Sequence, residues 1–247
     1  MPPRDDVALV TGAASGIGAA VVERLLAEGR RVCAWDVQEP SRPTAAHFAR
    51  VDVTNEAAVQ EALATVERSL GPVGELVNAA GVLSRAELRS QELTLEELRR
   101  VFAVNVEGVW LVSRAVAGRM TERRCGAIVT VASNAASVPR IGLGAYCASK
   151  AAAAMLTRCL GLELARYGVR CNVVSPGSTD TPMLRAMLDG ADGRGLISGA
   201  PEAFRLGIPL GRVAEARDVA EAVLFLLSER ARHITLQDLR VDGGATL

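Results

Sequence analysis

The chain is poor in aromatic residues: two Trp, two Tyr and four Phe make up 3% of its 247 residues. A core with so few large rings has to be aliphatic and alanine-rich. Apolar residues make up 49% of the chain, and at this length that is enough to bury a full core without covalent staples. Histidine is scarcer still, with only His47 and His233. The five cysteines (Cys33, Cys125, Cys147, Cys159 and Cys171) include no C-x-x-C pair. An odd number of thiols without ligand spacing argues against a disulfide framework and against zinc, so no metal is expected. It fits buried, reduced thiols in a cytoplasmic protein. Neither sign of charge dominates, since 28 basic and 28 acidic residues cancel and no basic stripe forms. Nucleic acid and anionic membrane surfaces are therefore not expected partners. The neutral balance also gives little repulsion between copies of the chain. No apolar run approaches ~18 residues, so no membrane span is expected, and the N-terminus lacks the basic-then-apolar order of a signal peptide.

What is present is an alternation of short β-rich runs and amphipathic stretches. The runs fall at 7–11, 32–36, 48–52, 75–78, 127–132, 169–175 and 239–241. Helical spacing appears over 17–28, 55–70, 94–121, 145–167 and 217–228, with Gly108 marking a bend or a close approach in the third of these. Strands alternating with helices predict an α/β fold, a Rossmann-type doubly wound parallel sheet of about seven strands with helices on both faces. No repeat, low-complexity tract or linker divides the chain, so a single domain over 1–247 is expected. The stretch 176–200 is rich in glycine and reads as a mobile loop with short helical pieces, part of a substrate loop over about 176–210.

The first strand runs into Thr11-Gly12-Ala13-Ala14-Ser15-Gly16-Ile17-Gly18. Glycines at a strand-to-helix turn let a phosphate approach the backbone while the helix points free N–H groups at it. The spacing is G-x-x-x-G-x-G rather than G-x-G-x-x-G. Asp36 ends the second strand, where a carboxylate accepts hydrogen bonds from a ribose and repels a 2′-phosphate. With Val37 next to it and Ser15 in the turn, NAD is expected over NADP; Arg42 in the following loop is the one residue that weakens this.

Tyr146 and Lys150 stand four apart on a predicted helix and so share a face. A tyrosine acts as a base near neutrality only if a cation favours its phenolate, and Lys150 supplies one. A Tyr-x-x-x-Lys pair alone is common. Here Ser133 follows the fifth strand and joins the pair at the carboxyl edge of the sheet, where open α/β folds bind ligands. With TGAASGIG at 11–18, Asp52-Val53, NAAG at 78–81, Asn105-Val106, YCASK at 146–150 and Pro176-Gly177, the chain resembles the short-chain dehydrogenase/reductase family along nearly its whole length.

The resemblance implies roles for individual residues. Gly12, Ser15, Gly16, Ile17 and Gly18 would surround the pyrophosphate and adenosine, and Asp52 and Val53 the adenine. Asn78 and Gly81 would form the floor beneath the cofactor. Tyr146 would be the acid/base, with Ser133 holding the reacting oxygen. Lys150 would also bind the nicotinamide ribose, and Asn105 would hold a water linking Lys150 to solvent. Pro176, Thr179 and Thr181 complete the cofactor set, the threonines placed for the carboxamide and phosphate ends. A homotetramer is implied, packed through the helices at 94–121 and 145–167, with 239–247 contributing.

Four finer segments, at 129–146, 168–183, 204–212 and 233–244, resemble the branch of the family that aromatises a dihydrodiol benzoate. That implies NAD-dependent oxidation of 2,3-dihydro-2,3-dihydroxybenzoate to 2,3-dihydroxybenzoate, a catecholate siderophore precursor. A dihydroaromatic acid needs a cation for its carboxylate. Arg140, six residues before Tyr146, is the first candidate and Arg85 the second; on residue type alone each also fits an ordinary surface arginine. Two other readings stay open: aromatisation of trans-2,3-dihydro-3-hydroxyanthranilate to 3-hydroxyanthranilate in an antibiotic pathway, and a general NADPH-dependent ketone or ketoacyl reductase.

Overall fold

A computed structural model describes residues 6–40, 44–85, 88–188, 190 and 193–246. Seven parallel strands form one sheet: β1 (Val7–Thr11), β2 (Arg31–Asp36), β3 (His47–Arg50), β4 (Val73–Asn78), β5 (Gly126–Val131), β6 (Val169–Pro176) and β9 (Asp238–Val241). Their order is β3-β2-β1-β4-β5-β6-β9. The chain works outward from β1 in one direction and then, from β4, in the other. This places a crevice at the carboxyl ends of β1 and β4, where such sheets bind ligands.

Successive side chains of a strand point to opposite faces, and the core divides accordingly. Ala8 and Val10 pack with Val21 and Leu25 of α1 (Gly16–Ala27) and with Val219, Val223 and Leu227 of α8 (Ala216–Leu227). Val7 and Leu9 face the other layer. There they meet Val59 and Leu63 of α2 (Glu56–Ser69) and Val112, Val116 and Met120 of α4 (Val109–Arg123). Helix starts follow the side chains that satisfy them: the Asn55 side chain accepts from Ala58 N at 3.1 Å, and Thr94 Oγ1 from Glu97 N at 3.2 Å.

The structure departs from the sequence reading in three places. The third strand stops at Arg50, because the Asp52 carboxylate accepts from both the backbone N and the hydroxyl of Thr54 and turns the chain. The helical region from 94 is α3 (Leu95–Phe102), a π-helical turn over Ala103–Gly108, and then α4. Gly108 is required by contact: a Cβ there would lie 2.6 Å from Val53 Cγ2. The segment after β6 carries the expected short helical pieces, α6 (Pro182–Leu188) and α7 (Arg194–Ser198), and in addition a strand, β7 (Thr179–Asp180). β7 pairs in parallel with β8 (Ala214–Glu215), just before α8.

By length and composition the helical stretch Leu95–Arg123 could cross a membrane. Half of its most apolar window is buried within the protein, as in a core helix.

Candidate active site

A cleft of about 420 Å³ runs along the carboxyl edge of the sheet. At one end lies the glycine turn. Gly12 has φ +66, and a Cβ there would sit 2.5 Å from Ala80 N; a Cβ on Gly18 would sit 2.0 Å from Gly12 O. Gly12 is therefore set by contact as well as by conformation, and Gly18, within α1, by contact. Ser15, Gly16 and Ile17 line the same end. Asp36 closes it: one carboxylate oxygen accepts from Ala14 N at 2.9 Å and the other from Gln38 N at 3.0 Å. This ties the end of β2 to the glycine turn, and Asp36 lines the cleft there. Asp52 and Val53 line the cleft beside it. The chemistry of this donor set, backbone N–H groups under a glycine turn with a carboxylate at the β2 end, fits a nicotinamide dinucleotide. Arg42 lies outside the described residues.

The middle of the cleft is built by β5 and α5 (Gly144–Leu164). Ser133 follows β5 with extended backbone, and its hydroxyl accepts from Ala135 N at 3.1 Å. Tyr146 and Lys150 lie in the first two turns of α5 and both line the cleft. Lys150 is 5% exposed, and Nζ donates to Val131 O at 2.9 Å. It lies 5.8 Å from the centre of the Tyr146 ring. Gly81 makes this possible, since a Cβ there would come within 3.2 Å of Lys150 Nζ and 3.3 Å of Asn105 Oδ1.

Burial pushes the Tyr146 phenol up to about 12, and a hydrogen bond with Ser133 opposes this only in part. Burial alone pulls the Lys150 ammonium down to about 8. Burial thus disfavours the charged form of each residue. Lys150 is also the only lysine in the chain, every other basic residue being arginine. A guanidinium cannot give up its proton, whereas a desolvated amine can.

Three sequence candidates fall outside the cleft. Asn78 is not its floor: the side chain is buried and donates to Ser113 Oγ at 2.9 Å and Thr130 Oγ1 at 3.3 Å, so it ties β4 to α4 and β5. Arg85 is exposed, and its backbone N donates to Glu97 Oε1 at 2.7 Å; it does not line the cleft. Asn105 is fully buried in the π turn with its amide committed to protein groups. It donates to Val82 O (2.9 Å) and Ser149 Oγ (3.0 Å) and accepts from Val82 N (2.8 Å). It thus joins the loop after β4 to α5. Ser149, which sequence reasoning passed over inside YCASK, completes that link by donating to Tyr146 O at 2.8 Å.

Pro176, Thr179 and Thr181 line the cleft from the side of β6 and β7. Arg140, just before α5, lines the end away from Asp36. So does Arg205, which no sequence pattern singled out.

Comparison with known proteins agrees with this geometry. A family model described as enoyl-(acyl carrier protein) reductase matches residues 12–246. The 2,3-dihydro-2,3-dihydroxybenzoate dehydrogenase of Bacillus subtilis (strain 168) is 46% identical, covering 98% of this chain and 96% of that protein. The protein of the same name from Escherichia coli (strain K12) is 45% identical, covering 96% of each. Among solved structures, ligand-free aldohexose dehydrogenase from Thermoplasma acidophilum superposes with a TM-score of 0.89 at 32% identity, covering 98% of this chain and 94% of that one. A glycine-turn cleft centred on a serine, a tyrosine and the chain's single lysine, matched by relatives along its whole length, makes this chain a member of the short-chain dehydrogenase/reductase family of nicotinamide-dependent oxidoreductases.

Proposed function

We propose that this enzyme uses NAD to oxidise 2,3-dihydro-2,3-dihydroxybenzoate to 2,3-dihydroxybenzoate. The observation that carries this reading is the polarity of the cleft: a carboxylate, Asp36, at the ribose end, and a guanidinium, Arg140, at the far end, with Ser133 and Tyr146 between them. The relatives named above carry the same reaction in their names. Asp36 favours NAD and opposes the NADPH-dependent reductase reading, since a carboxylate repels a 2′-phosphate.

When bound, the nicotinamide supplies the hydride acceptor. The chain's residues manage the proton and the orientation. Tyr146 Oη takes the proton of the ring hydroxyl, and Ser133 Oγ hydrogen-bonds the same oxygen. Lys150, held by Val131 O, supports the phenolate and reaches towards the ribose. Loss of the second ring hydrogen by enolisation makes the product aromatic and draws the reaction forward. The test is formation of NADH, followed by its near-ultraviolet absorbance, with the diol acid, with trans-2,3-dihydro-3-hydroxyanthranilate, and with NADP in place of NAD. Rapid reduction of NAD by the diol acid is the expected result. Turnover of the amino analogue alone would reassign the substrate.

The working pair is a phenolate beside an ammonium. Below about pH 8 the phenolate fraction grows tenfold per pH unit while Lys150 keeps its proton; above it, Lys150 loses its proton as fast as Tyr146 does. The kcat/KM for the diol is therefore expected to rise about tenfold per unit up to pH 8 and then level off. Because Lys150 is the only lysine, isotope-labelled lysine gives a single side-chain resonance. Its midpoint should lie near 8 rather than at the ordinary 10.5. A midpoint at the ordinary value, with a flat rate profile, would contradict this account.

Arg140→Ala is expected to raise KM for the diol acid about tenfold or more, the loss of one charge-assisted hydrogen bond. An unchanged KM would remove Arg140 from the substrate site.

The single domain over 1–247, with residues 176–210 as its substrate loop, belongs to the same reading, as does a cytoplasmic location. Self-association as a homotetramer draws support from exposed apolar side chains on the helices named for it: Leu95 and Trp110 on one, and Met155, Leu156 and Leu162 on the other.

A further inference from the structure

Segment 199–208 falls within the substrate loop expected over about 176–210, and its backbone is closed on itself. Ala200 and Arg205 exchange both of their backbone hydrogen bonds, each at 3.0 Å, and Ile208 N donates to Ile197 O at 2.9 Å. Phe204 is held at φ +52, a region a bulky side chain seldom occupies. A Cβ on Gly199 would fall 2.9 Å from Arg205 O, and one on Gly207 2.4 Å from Ile197 O. Such close approaches over-determine the turn. The one charged side chain it delivers to the cleft is that of Arg205.

Arg205 and Arg140 both line the cleft, and the charge of Arg205 is felt at Arg140. Both act on Cys147, whose thiol burial keeps neutral and which therefore supplies no counter-charge. The acidic residues lining the cleft are Asp36 and Asp52, both at the adenosine end. Asp242 reaches Arg140 only at long range, and its oxygens are already taken by Asn134, Thr246 and Gly244. Among the described residues, neither guanidinium has a carboxylate within ion-pair distance. Neither can shed its charge. Two permanent cations converging on one end of a part-desolvated cleft repel each other, and an anion seated between them relieves both.

We infer that Arg205 is a specificity-determining residue, forming with Arg140 a two-guanidinium clamp on the substrate carboxylate, so that the cleft selects a carboxylated ring diol over an uncharged one. This rests on the substrate reading above. Arg140 comes from the loop leading into the catalytic helix and Arg205 from the closed turn after α7, so the clamp spans two separate parts of the chain.

The test compares kcat/KM for the diol acid with that for the same ring diol lacking its carboxylate, in wild type, Arg205→Gln and Arg205→Lys. Benzoate inhibition is measured alongside. Arg205→Gln is expected to lower the acid-over-neutral ratio about tenfold or more and to weaken benzoate inhibition by a similar factor. Arg205→Lys should recover part of both, because an ammonium keeps the charge and loses the two-bond fork. If Arg205→Gln is unstable, Arg205→Met, which keeps the apolar stem, carries the same comparison. An unaltered ratio and unaltered benzoate inhibition, in an enzyme whose wild type turns over the diol acid, would overturn the clamp and leave the function standing. If the wild type does not turn over the diol acid, the function falls, and benzoate inhibition still decides the clamp: weakened by the variant it stands, unchanged it does not.

Discussion

Tyr146→Phe is expected to lower kcat for the diol by about 10²–10⁴-fold, with KM for NAD little changed. The substitution removes one oxygen from a side chain whose hydrogen-bonding partner is Ser133. The ring that packs at the start of α5 remains. Lys150 keeps its place, since Nζ is held by Val131 O and not by the phenol. Ser149 still donates to the backbone oxygen of residue 146, so the helix is not released. The loss therefore belongs to proton transfer, and an unchanged melting temperature together with an unchanged NADH dissociation constant should accompany it. A variant retaining a tenth or more of wild-type kcat would show that another group takes the hydroxyl proton.

The second large effect is expected from a residue with no side chain. In Gly18→Ala the new methyl would lie 2.0 Å from Gly12 O and 2.7 Å from Gly12 C, both backbone atoms that cannot turn aside. The turn must open, and it is the turn that presents its N–H groups to the pyrophosphate. Overpacking of this kind costs about 1–3 kcal/mol in stability. The cost to cofactor binding should be greater, because the displaced atoms are the ones that approach the phosphates. NADH fluorescence titration is expected to show affinity weakened a hundredfold or more. Gly29→Ala is the control: Gly29 has a left-handed backbone, φ +73, which the helical Gly18 lacks, and a Cβ there meets nothing within 4 Å. It should lose about 1–2 kcal/mol of stability from the backbone alone and bind NADH normally. Equal NADH affinity in Gly18→Ala and wild type would mean that the turn does not seat the phosphates.

Much of the architecture was legible beforehand because period and punctuation are local. A strand buried on both faces reads as an unbroken apolar run, as in VALVT and GAIVTV, and helices show their spacing in any window long enough to hold two turns. The glycine turn, Asp36, Ser133, Tyr146 and Lys150 were legible for the same reason, since each chemical signal lies within a few residues of the strand or helix that carries it. Boundaries were less legible. The end of β3 depends on the Asp52 carboxylate finding Thr54, and the π turn depends on Asn105 reaching Val82 and Ser149 across the fold.

Residue identity and spacing by themselves determined the doubly wound sheet, the glycine turn and the Tyr146–Lys150 pair that line the cleft, because backbone propensity and hydrophobic period act over short stretches of chain. Tertiary structure alone decided which polar residues serve the site and which serve the core. It withdrew Asn78 into a buried bond with Ser113, left Arg85 exposed, and brought Arg205 into the cleft that Arg140 lines. It also set the burial that disfavours the charged forms of Tyr146 and Lys150. Desolvation and contact are set by atoms far apart in sequence, and no local pattern records what will enclose a side chain once the sheet and helices have closed around it.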